Sequence, residues 1–154
     1  MFVKKINFMK KKILDLNTLS KKVLLLKNKN KKIVLSHGSF DLIHPGHINH
    51  LKKAKSYGDI LIVTITADKF VNKKLQGTHY NQYQRAEFLS NFEFVDYISI
   101  INETSAITGL KNLKPNNFNE KFLIKDKNGD IIEKSENLNR LIKKTSWGNL
   151  RKLK

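Results

Sequence analysis

Short apolar runs alternate with amphipathic stretches along residues 18–113 of the chain. The runs 33–35 and Ile60–Thr66 are apolar and mostly β-branched, which is typical of strands buried on both faces of a sheet. Between them, Pro45 suits the first turn of a helix and Gly58 suits its end. The order strand, helix, strand predicts a βαβ unit, in which the strands are parallel and the crossover is right-handed.

Helical periodicity precedes and follows this unit. Leu19, Val23 and Leu26 lie at helical spacing, and Thr18 is the expected N-cap of that helix. The other predicted elements are a helix at 84–94, a strand at 95–101, a helix at 104–113, a short strand at 122–124, a turn at 128–130 and an imperfect helix at 131–144. The pattern is therefore regular as far as Pro115 and weak beyond it.

These elements predict the fold class and the domain organisation. The predicted class is α/β, a doubly wound parallel sheet with an N-terminal helix and a divergent C-terminal tail. Residues 1–17 are predicted as a basic lead-in and residues 18–115 as the core. Residues 116–154 are predicted as a divergent C-terminal segment of the same domain.

Length and composition restrict the class of protein further. With 154 residues and a mass of 17.9 kDa, the chain suits one compact domain. Its 40% of hydrophobic residues can form a core, which excludes wholesale disorder. It has no run of about 20 apolar residues for a membrane-spanning helix, and no cysteine for a disulfide, a metal thiolate or a thiol nucleophile. No signal-peptide apolar stretch follows the basic N-terminus, so we expect a cytoplasmic protein without a membrane partner.

The formal net charge of +17 indicates anionic partners, but the residue types weaken that interpretation. Only Arg85, Arg140 and Arg151 are arginines, so 27 of the 30 cationic residues are lysines. Abundant Lys, Asn and Ile are what an AT-rich coding sequence produces without selection for polyanion binding. The lysines are spread evenly along the chain, so nucleic acid is an unlikely partner.

The segment after the first predicted strand carries the candidate chemistry. Residues 36–47 read Ser-His-Gly-Ser-Phe-Asp-Leu-Ile-His-Pro-Gly-His, and ligands of an open parallel sheet bind at this carboxyl edge. Glycine lets the backbone approach a phosphate, and the helix N-terminus near Pro45 offers N–H groups and a partial positive charge. His44 and His47 flank that terminus. N–H groups and imidazoles together suit the stabilisation of charge on a reacting phosphate.

The same residues resemble a known family. His44-Pro-Gly-His47 is similar to the HxGH signature of the cytidylyltransferase-like nucleotidyltransferases, and Gly38-Ser-Phe-Asp41 is similar to their preceding G-x-F-D. Further matches are Gly58-Asp59, Thr64-Ile-Thr-Ala-Asp68, Arg85 and Val95-Asp96-Tyr97. Within the family, residues 19–115 resemble heptose-phosphate adenylyltransferase domains and the related sugar-phosphate cytidylyltransferases.

The resemblance implies a Rossmann-like nucleotidyltransferase fold and a reaction. In that family a phosphate of the acceptor attacks the α-phosphate of a nucleoside triphosphate, and pyrophosphate leaves, usually with the help of Mg²⁺. The implied substrates are ATP or CTP and a sugar phosphate or similar small phosphate, which would receive AMP or CMP. Related domains are often dimers, so a homodimer is the implied oligomer.

The resemblance also implies roles for individual residues. His44 and His47 would contact the triphosphate and stabilise the transition state. Asp41, Asp68 and Arg85 would either order the site or touch substrate. His37 and Asp68 are candidate substrate-lining residues, with a hydrogen-bonded loop residue and a strand end as their alternatives. The implied nucleotide-binding residues are Gly38, Ser39, Phe40, Asp41, Gly46, Lys73, Lys74, Arg85, Thr145 and Ser146.

A third nearby histidine raises the alternative of a zinc site. His44, His47 and His50 are spaced three residues apart. On a helix that turns about 100° per residue, positions three and six residues along point away from a common centre. No metal ligand from the protein is therefore predicted, and His50 is predicted to be dispensable.

The chain departs from the family pattern near its end. Family members carry a Val-Lys-Gly-Asp-like segment after the third helix, whereas residues 116–125 contain neither glycine nor aspartate. Members also carry a late serine/threonine-rich loop that binds the triphosphate, and Thr145-Ser146 is the only late hydroxyl pair here. Three hypotheses follow: an active nucleotidyltransferase, a nucleotide-binding member with weak or no turnover, and a basic nucleic-acid-binding protein.

Overall fold

A computed structural model describes residues 11–71, 77–103, 106–119, 123–125 and 131–134. In chain order its elements are α1 Leu16–Asn28, β1 Ile33–Gly38, α2 Pro45–Lys55, β2 Ile60–Thr66, α3 Gln82–Ser90, β3 Tyr97–Ile101, α4 Ile107–Leu113, β4 Asn117–Asn119, β5 Leu123–Lys125 and β6 Ile131–Lys134. A 3₁₀ turn, Asp68–Phe70, follows β2 directly. The alternation of strands and helices as far as β4 confirms the predicted α/β class.

The main sheet has the strand order β3-β2-β1-β4, and all of its strand pairs are parallel. β1 pairs with β2 from Ile33 opposite Ile60 to Gly38 opposite Ile65. The chain moves outward from β1 to β3 and then returns past β1 to β4. The strand order therefore reverses between β1 and β4, and a crevice at the carboxyl ends of such strands is where parallel α/β sheets bind ligands.

Helices cover both faces of this sheet. α2 and α3 pack on one face through Leu51, Ala54, Ala86 and Leu89, all of which are fully buried. The opposite face is covered by α1 and α4, with a second apolar cluster between them and the sheet. This double covering explains why β1 and β2 are apolar along their length. Within the described residues, no helix is both long and apolar enough to cross a membrane.

The N-terminal helix begins earlier than predicted. Its N-cap is Asp15, whose carboxylate accepts a hydrogen bond from the Thr18 N–H at 3.0 Å. Thr18 therefore lies inside the first turn, and its prediction as the cap is wrong, because an aspartate at the preceding cap position serves the same N–H groups. Ile13 forms a parallel bridge with Ile98 of β3, so the chain already joins the edge of the sheet before α1.

The boundaries of α3 also differ from the prediction. Asn81 caps this helix by accepting hydrogen bonds from the N–H groups of Tyr83 and Gln84, both at 3.0 Å. The helix ends at Ser90, and the predicted extension to residue 94 is wrong. Phe92 and Phe94 instead stack on one another with ring centroids 5.3 Å apart and pack against the core. Burial of these aromatic rings favours a turn over a longer helix.

The structure after α4 departs most from the predictions. β4 pairs with β1 in register from Val34 opposite Asn117 to Ser36 opposite Asn119, although its residues are mostly polar. The strand predicted at 122–124 corresponds to β5, which pairs antiparallel with β6 and not with the main sheet. The helix predicted at 131–144 is wrong for residues 131–134, since the β-branched pair Ile131-Ile132 extends as a strand. Residues 128–130 and 135–144 lie outside the described residues.

Candidate active site

The candidate site lies where β1 ends and a loop of residues 39–44, the β1–α2 loop, leads into α2. Pro45 opens the helix at a position where a missing N–H has no consequence. His44 precedes it as the N-cap, with an extended backbone at φ −132° and ψ 169°. Because β1 ends here, the N-terminus of α2 and its partial positive charge lie at the carboxyl edge of the sheet.

Two imidazoles cap the N-terminus of α2. His44 Nδ1 accepts a hydrogen bond from the Gly46 N–H at 3.1 Å, and His47 Nδ1 accepts one from the His44 N–H at 3.4 Å. Their ring centroids are 4.0 Å apart. A ring nitrogen that accepts a hydrogen bond carries no proton, so these contacts place the proton of each neutral imidazole on Nε2. Each ring is thereby set up as an Nε2–H donor beside the helix N-terminus.

Two glycines make room for the aromatic rings of this segment. A Cβ atom on Gly46 would lie 2.8 Å from His44 Cε1 and 2.9 Å from its Nδ1. A Cβ atom on Gly38 would lie 2.9 Å from Phe40 Cε2. In each case a ring folds over a glycine two residues away, and a side chain there would displace it. This packing explains the spacing of the G-x-F and H-x-G motifs.

Phe40 has a strained backbone in the middle of the β1–α2 loop. Its φ of 49° lies in the left-handed region, which costs a residue with a side chain about 1–2 kcal/mol. The residue is 4% exposed, and its ring meets the ring of His47 edge-on, with centroids 5.6 Å apart. Strain of this kind persists only where the surroundings hold the residue in place.

Arg85 ties together the segments around the loop. Its fully buried guanidinium donates to the Ser39 carbonyl through Nη1 and to the Tyr80 carbonyl through Nε at 3.1 Å. Nη2 donates to the Thr66 carbonyl at 2.8 Å and to Asp68 Oδ1 at 2.6 Å. These contacts occupy most of the five N–H donors of a guanidinium. Arg85 therefore holds together the backbone of Ser39, Thr66 and Tyr80, and it also lines the cavity beside the loop.

Asp68 is the acidic partner of Arg85 at the end of β2. Besides Arg85, its carboxylate accepts hydrogen bonds from the Gln82 N–H at 3.0 Å and the Thr78 hydroxyl at 3.5 Å. The Gln82 side chain in turn accepts from the Asp68 N–H at 3.1 Å. Burial raises the pKa of the Asp68 carboxyl, but hydrogen bonds from Arg85 and Gln82 outweigh burial and hold that pKa below its ordinary value.

Asp41 holds the other side of the β1–α2 loop. Its Oδ2 accepts hydrogen bonds from the His79 N–H at 2.8 Å and from His79 Nδ1 at 2.9 Å, and its Oδ1 accepts one from the Tyr80 N–H at 2.9 Å. Partial burial raises the pKa of the Asp41 carboxyl, but these donors together keep that pKa below its ordinary value. We call this group of contacts the Asp41 clasp.

His37 lies on β1 beneath the loop and is 5% exposed. Its Nδ1 lies 2.9 Å from the Thr64 hydroxyl, and its Nε2 lies 3.3 Å from the Thr66 hydroxyl. Burial lowers the pKa of His37 to about 4, and the hydrogen bond with Thr64 offsets only part of this effect. The ring is therefore neutral at pH 7, with both nitrogens bonded to β2.

The remaining predicted residues divide into two groups. Lys73, Lys74, Thr145 and Ser146 lie outside the described residues. His50 lies on α2, where its Nε2 is 3.5 Å from the Ser36 hydroxyl. Among the residues described, His, Asp and Glu side chains form no group of three or more that could hold a metal ion.

Sequence reasoning did not identify His79, Tyr80 or Gln82, whose backbone N–H groups hold the two carboxylates. The contacts of Asp41 span 38 and 39 residues of chain, so no local periodicity marks them. One local signal was available, the capping box of Asn81 and Gln84. It fixes the start of α3 and hence places residues 79–82 at the same edge of the sheet.

A cavity of about 580 Å³ adjoins the β1–α2 loop on the side of α3. The loop contributes Phe40, Asp41, Leu42 and Ile43 to its lining, and α3 contributes the facing wall. The cavity has the size of a small-molecule site. Neither His44 nor His47 lines this cavity, which lies between the loop and α3.

A helix N-terminus and an imidazole pair at the carboxyl edge of the first strand of a parallel α/β domain form an arrangement that suits a phosphorylated ligand. The family model described as Cytidylyltransferase-like matches residues 35–147. The chain therefore belongs to the cytidylyltransferase-like family of nucleotidyltransferases, and the resemblance in its motifs is confirmed.

Several curated relatives are bifunctional HldE proteins. The chain is 39% identical to HldE of Campylobacter jejuni subsp. doylei over 109 residues, which are 67% of this chain and 23% of that protein. It is 42% identical to HldE of Aliarcobacter butzleri over 85 residues, which are 53% of this chain and 18% of that protein. The matches thus span less than a quarter of the length of these relatives.

A solved structure supports the fold. The lipopolysaccharide core biosynthesis protein from Thermoplasma volcanium is similar with a TM-score of 0.53 and 26% sequence identity. The similarity covers 57% of this chain and 72% of that protein. The Rossmann-like nucleotidyltransferase fold is therefore confirmed.

Proposed function

We propose that this chain transfers the nucleoside monophosphate part of ATP or CTP to the phosphate of a small acceptor and releases pyrophosphate. An oxygen of the acceptor phosphate forms a bond to the α-phosphorus of the nucleotide. The bond from that phosphorus to the oxygen shared with the β-phosphate breaks, and its electron pair leaves with pyrophosphate. The reaction requires no nucleophile from the protein.

The imidazole pair on α2 is the observation that carries this proposal. Negative charge increases on the departing pyrophosphate and on the α-phosphate as the bonds exchange. The Nε2–H groups of His44 and His47 and the N-terminus of α2 supply donors that are oriented by backbone contacts together with the packing of the rings. Donors fixed before the reaction stabilise such charge without having to reorganise.

The neighbouring residues have supporting roles in the proposal. The backbone of Gly38, Ser39 and Phe40 would run along the nucleotide, and Gly46 would leave space for the His44 ring. Arg85 would hold the loop from below through the Ser39 carbonyl. Lys73, Lys74, Thr145 and Ser146 remain predicted nucleotide ligands on the strength of the family resemblance.

Mg²⁺ enters the proposal as part of the substrate. The described residues provide no cluster of carboxylates and imidazoles for a resident ion. Triphosphate oxygens and water are ligands that Mg²⁺ prefers, so we expect it to arrive bound to the nucleotide. A homodimer and a cytoplasmic location stay predictions from the sequence.

A sugar phosphate is the proposed class of acceptor. Support comes from the resemblance to sugar-phosphate nucleotidyltransferases and from the Thermoplasma relative, which is a lipopolysaccharide core biosynthesis protein. The resemblance to both adenylyltransferases and cytidylyltransferases leaves ATP and CTP as equal candidates. The pyrophosphate assay described below is run with both nucleotides to identify the base.

A nucleotide-binding protein with little turnover is the second candidate function. Residues 116–125 lack the glycine and aspartate of the family's segment, and Thr145-Ser146 is the only candidate for the family's late serine/threonine-rich loop. Binding needs mainly the β1–α2 loop and the N-terminus of α2. Catalysis needs further donors, and the loss of one such donor typically lowers the rate by about 10²–10³.

Pyrophosphate release tests the proposal. The full chain is assayed with ATP or CTP and Mg²⁺ against hexose, heptose and glycerol phosphates, with acceptor-free reactions as the control for hydrolysis. We expect one nucleotide–acceptor pair to turn over at about 1 s⁻¹ or faster, within the ordinary range of enzymes. Calorimetric binding of a nucleotide without acceptor-dependent release would favour the second candidate. Neither binding nor release would contradict both.

A further inference from the structure

We propose that Asp41 is a positioning residue, whose clasp holds the β1–α2 loop in the conformation that keeps the His47 imidazole in place. This inference rests on the proposed function, because the orientation of His47 matters for turnover only if the site transfers a nucleotide. It assigns Asp41 to the ordering of the protein's own catalytic group and not to the nucleotide ligands.

The contacts of the Asp41 carboxylate are already those of a structural group. Both of its oxygens accept hydrogen bonds, and the three donors all belong to His79 and Tyr80. Its side chain is only 20% exposed. A carboxylate also repels the phosphates of a nucleotide, since like charges close together are unfavourable. These contacts therefore favour a structural role for Asp41 over direct binding of a triphosphate.

The clasp fixes one side of a strained residue. Phe40 has a φ of 49°, and the residues on both sides of it are anchored. On one side the Ser39 carbonyl accepts a hydrogen bond from Arg85. On the other side the Asp41 side chain is held by the segment before α3. Both anchors come from residues 79–85 at the start of α3. Loss of the Asp41 contacts leaves only the anchor on Ser39, so Phe40 can relax from the left-handed region.

Phe40 transmits this constraint to His47. The His47 Nδ1 contact with the His44 N–H is 3.4 Å long, beyond the usual N–H···O range of 2.7–3.2 Å. The imidazole also lies against the ring of His44, with centroids 4.0 Å apart. The edge of the Phe40 ring supplies a further constraint from the side of the loop, with ring centroids 5.6 Å apart. Relaxation of Phe40 would therefore remove packing from the imidazole that donates to the reacting phosphates.

Asp41→Asn is the variant that tests this mechanism. It keeps the shape of the side chain, but an amide oxygen can accept on one side only, while its NH₂ group faces a donor on the other. We expect kcat to fall by about 10- to 100-fold, the cost of a small misplacement of a catalytic group. KM and calorimetric Kd for the nucleotide should change by less than about threefold, because the ground-state phosphate contacts remain.

Two further variants grade the effect. His79→Ala removes the imidazole contact but leaves both backbone donors, so kcat should fall less than in Asp41→Asn. Asp59→Asn is the matched control, since Asp59 also accepts a backbone N–H, from Lys32 at 2.7 Å, but at the opposite end of the sheet. Its kcat and KM should equal those of the wild-type chain.

The imidazole itself gives a readout that does not depend on turnover. In ¹⁵N-histidine-labelled protein, the ring signals of His47 are assigned by their loss in His47→Ala. We expect the ring ¹⁵N chemical shifts of His47 to change in Asp41→Asn and to change less in His79→Ala. In Asp59→Asn they should equal those of the wild type. If Asp41→Asn does not fold, the graded shift in His79→Ala still tests the clasp.

Two results would overturn the inference. One is an unchanged His47 signal in both clasp variants. The other is a Kd for the nucleotide raised tenfold or more in Asp41→Asn while kcat is preserved, which would make Asp41 a ligand of the nucleotide. A wild-type chain without turnover would contradict the proposed function alone, because the spectra would still report whether the clasp positions His47.

Discussion

The amino and carboxyl ends of the parallel sheet use the same device, a carboxylate that accepts backbone N–H groups. At the amino end, Asp59 accepts from the Lys32 N–H at 2.7 Å and Asp96 accepts from the Leu61 N–H at 2.7 Å. Lys55 pairs with Asp96 at 2.5 Å. These contacts align the starts of neighbouring strands.

At the carboxyl end, Asp41 and Asp68 accept backbone N–H groups from residues 79–82. Here the surroundings differ, because α2 begins at this end and directs its N-terminus toward the crevice. At the amino end the same helix has its C-terminus, with the last backbone carbonyl groups and the lysines of the last turn. The two ends therefore share the carboxylate contacts, and they differ in the direction of the helix and in the imidazoles at its N-terminus, which single out the carboxyl end as the candidate site.

The largest expected effect is a loss of turnover on removal of His44 or His47 at the start of α2, compared with removal of His50 further along the helix. His44→Ala and His47→Ala should each lower turnover by roughly 10²-fold or more, because each removes a donor used chiefly in the transition state. His50→Ala is the matched control and should change turnover little. Steady-state kinetics of the three variants measure this difference. Near wild-type turnover in both His44→Ala and His47→Ala would refute the role of the pair.

The second effect concerns His37 beneath the carboxyl end. Its pKa of about 4 in the folded chain is below the ordinary value of 6.5, so the unfolded chain binds a proton first as the pH falls. The free energy of unfolding contributed by His37 is therefore complete above about pH 6.5 and is lost between there and pH 4. The loss by pH 4.5 should be roughly 2–3 kcal/mol.

Denaturant unfolding between pH 4.5 and 8 measures this effect in the wild type and in His37→Asn. Since other groups titrate in both proteins, the informative quantity is the difference between their pH dependences. The wild type should lose more stability in acid than the variant. Parallel curves would show that His37 does not remain neutral in the folded chain.

The third effect concerns the glycine under the His44 ring. Gly46→Ala places a Cβ within 3 Å of that imidazole, so turnover should fall about tenfold through displacement of the ring. Gly109→Ala is the control, because its Cβ would meet neighbours at 3.6 Å or more and alanine favours a helix. Kinetics and thermal unfolding of both variants separate displacement from destabilisation. Equal turnover in the two would contradict the packing argument.

The smallest effect is expected at the amino end. Asp96→Asn weakens the contacts with the Leu61 N–H and Lys55, and it should lower the free energy of unfolding by about 1 kcal/mol. Its kcat and KM should match those of the wild type. A clear loss of turnover with an unchanged fold would mean that the two ends of the sheet are coupled more strongly than their separation implies.

The sequence allowed prediction of those parts of the fold that depend on local pattern. β1, α2 and β2 follow from apolar runs, a proline and a glycine, all of which act within a few residues. β4 could not be found in this way, because Asn117–Asn119 is mostly polar and becomes a strand through pairing with β1. Strand pairing is a contact between distant segments, and a single sequence carries little signal of it.

The candidate site shows the same limit. His44, Gly46 and His47 stand close together in one motif, so their proximity could be predicted. The partners of Asp41 and Arg85 come from other segments of the chain, and the left-handed backbone at Phe40 is set by those partners. The family resemblance implies that Arg85 either orders the site or touches substrate, and the structure shows its guanidinium buried against backbone carbonyls.

The central claim is that this site transfers a nucleotide, and the fate of labelled phosphates tests it most directly. The full chain is incubated with Mg²⁺, the acceptor identified by pyrophosphate release, and nucleotide labelled with ³²P at either the α- or the γ-position. We predict that the α-label moves to the acceptor and that the γ-label is released in pyrophosphate. Appearance of the γ-label in the acceptor, or transfer of neither label, would contradict the account.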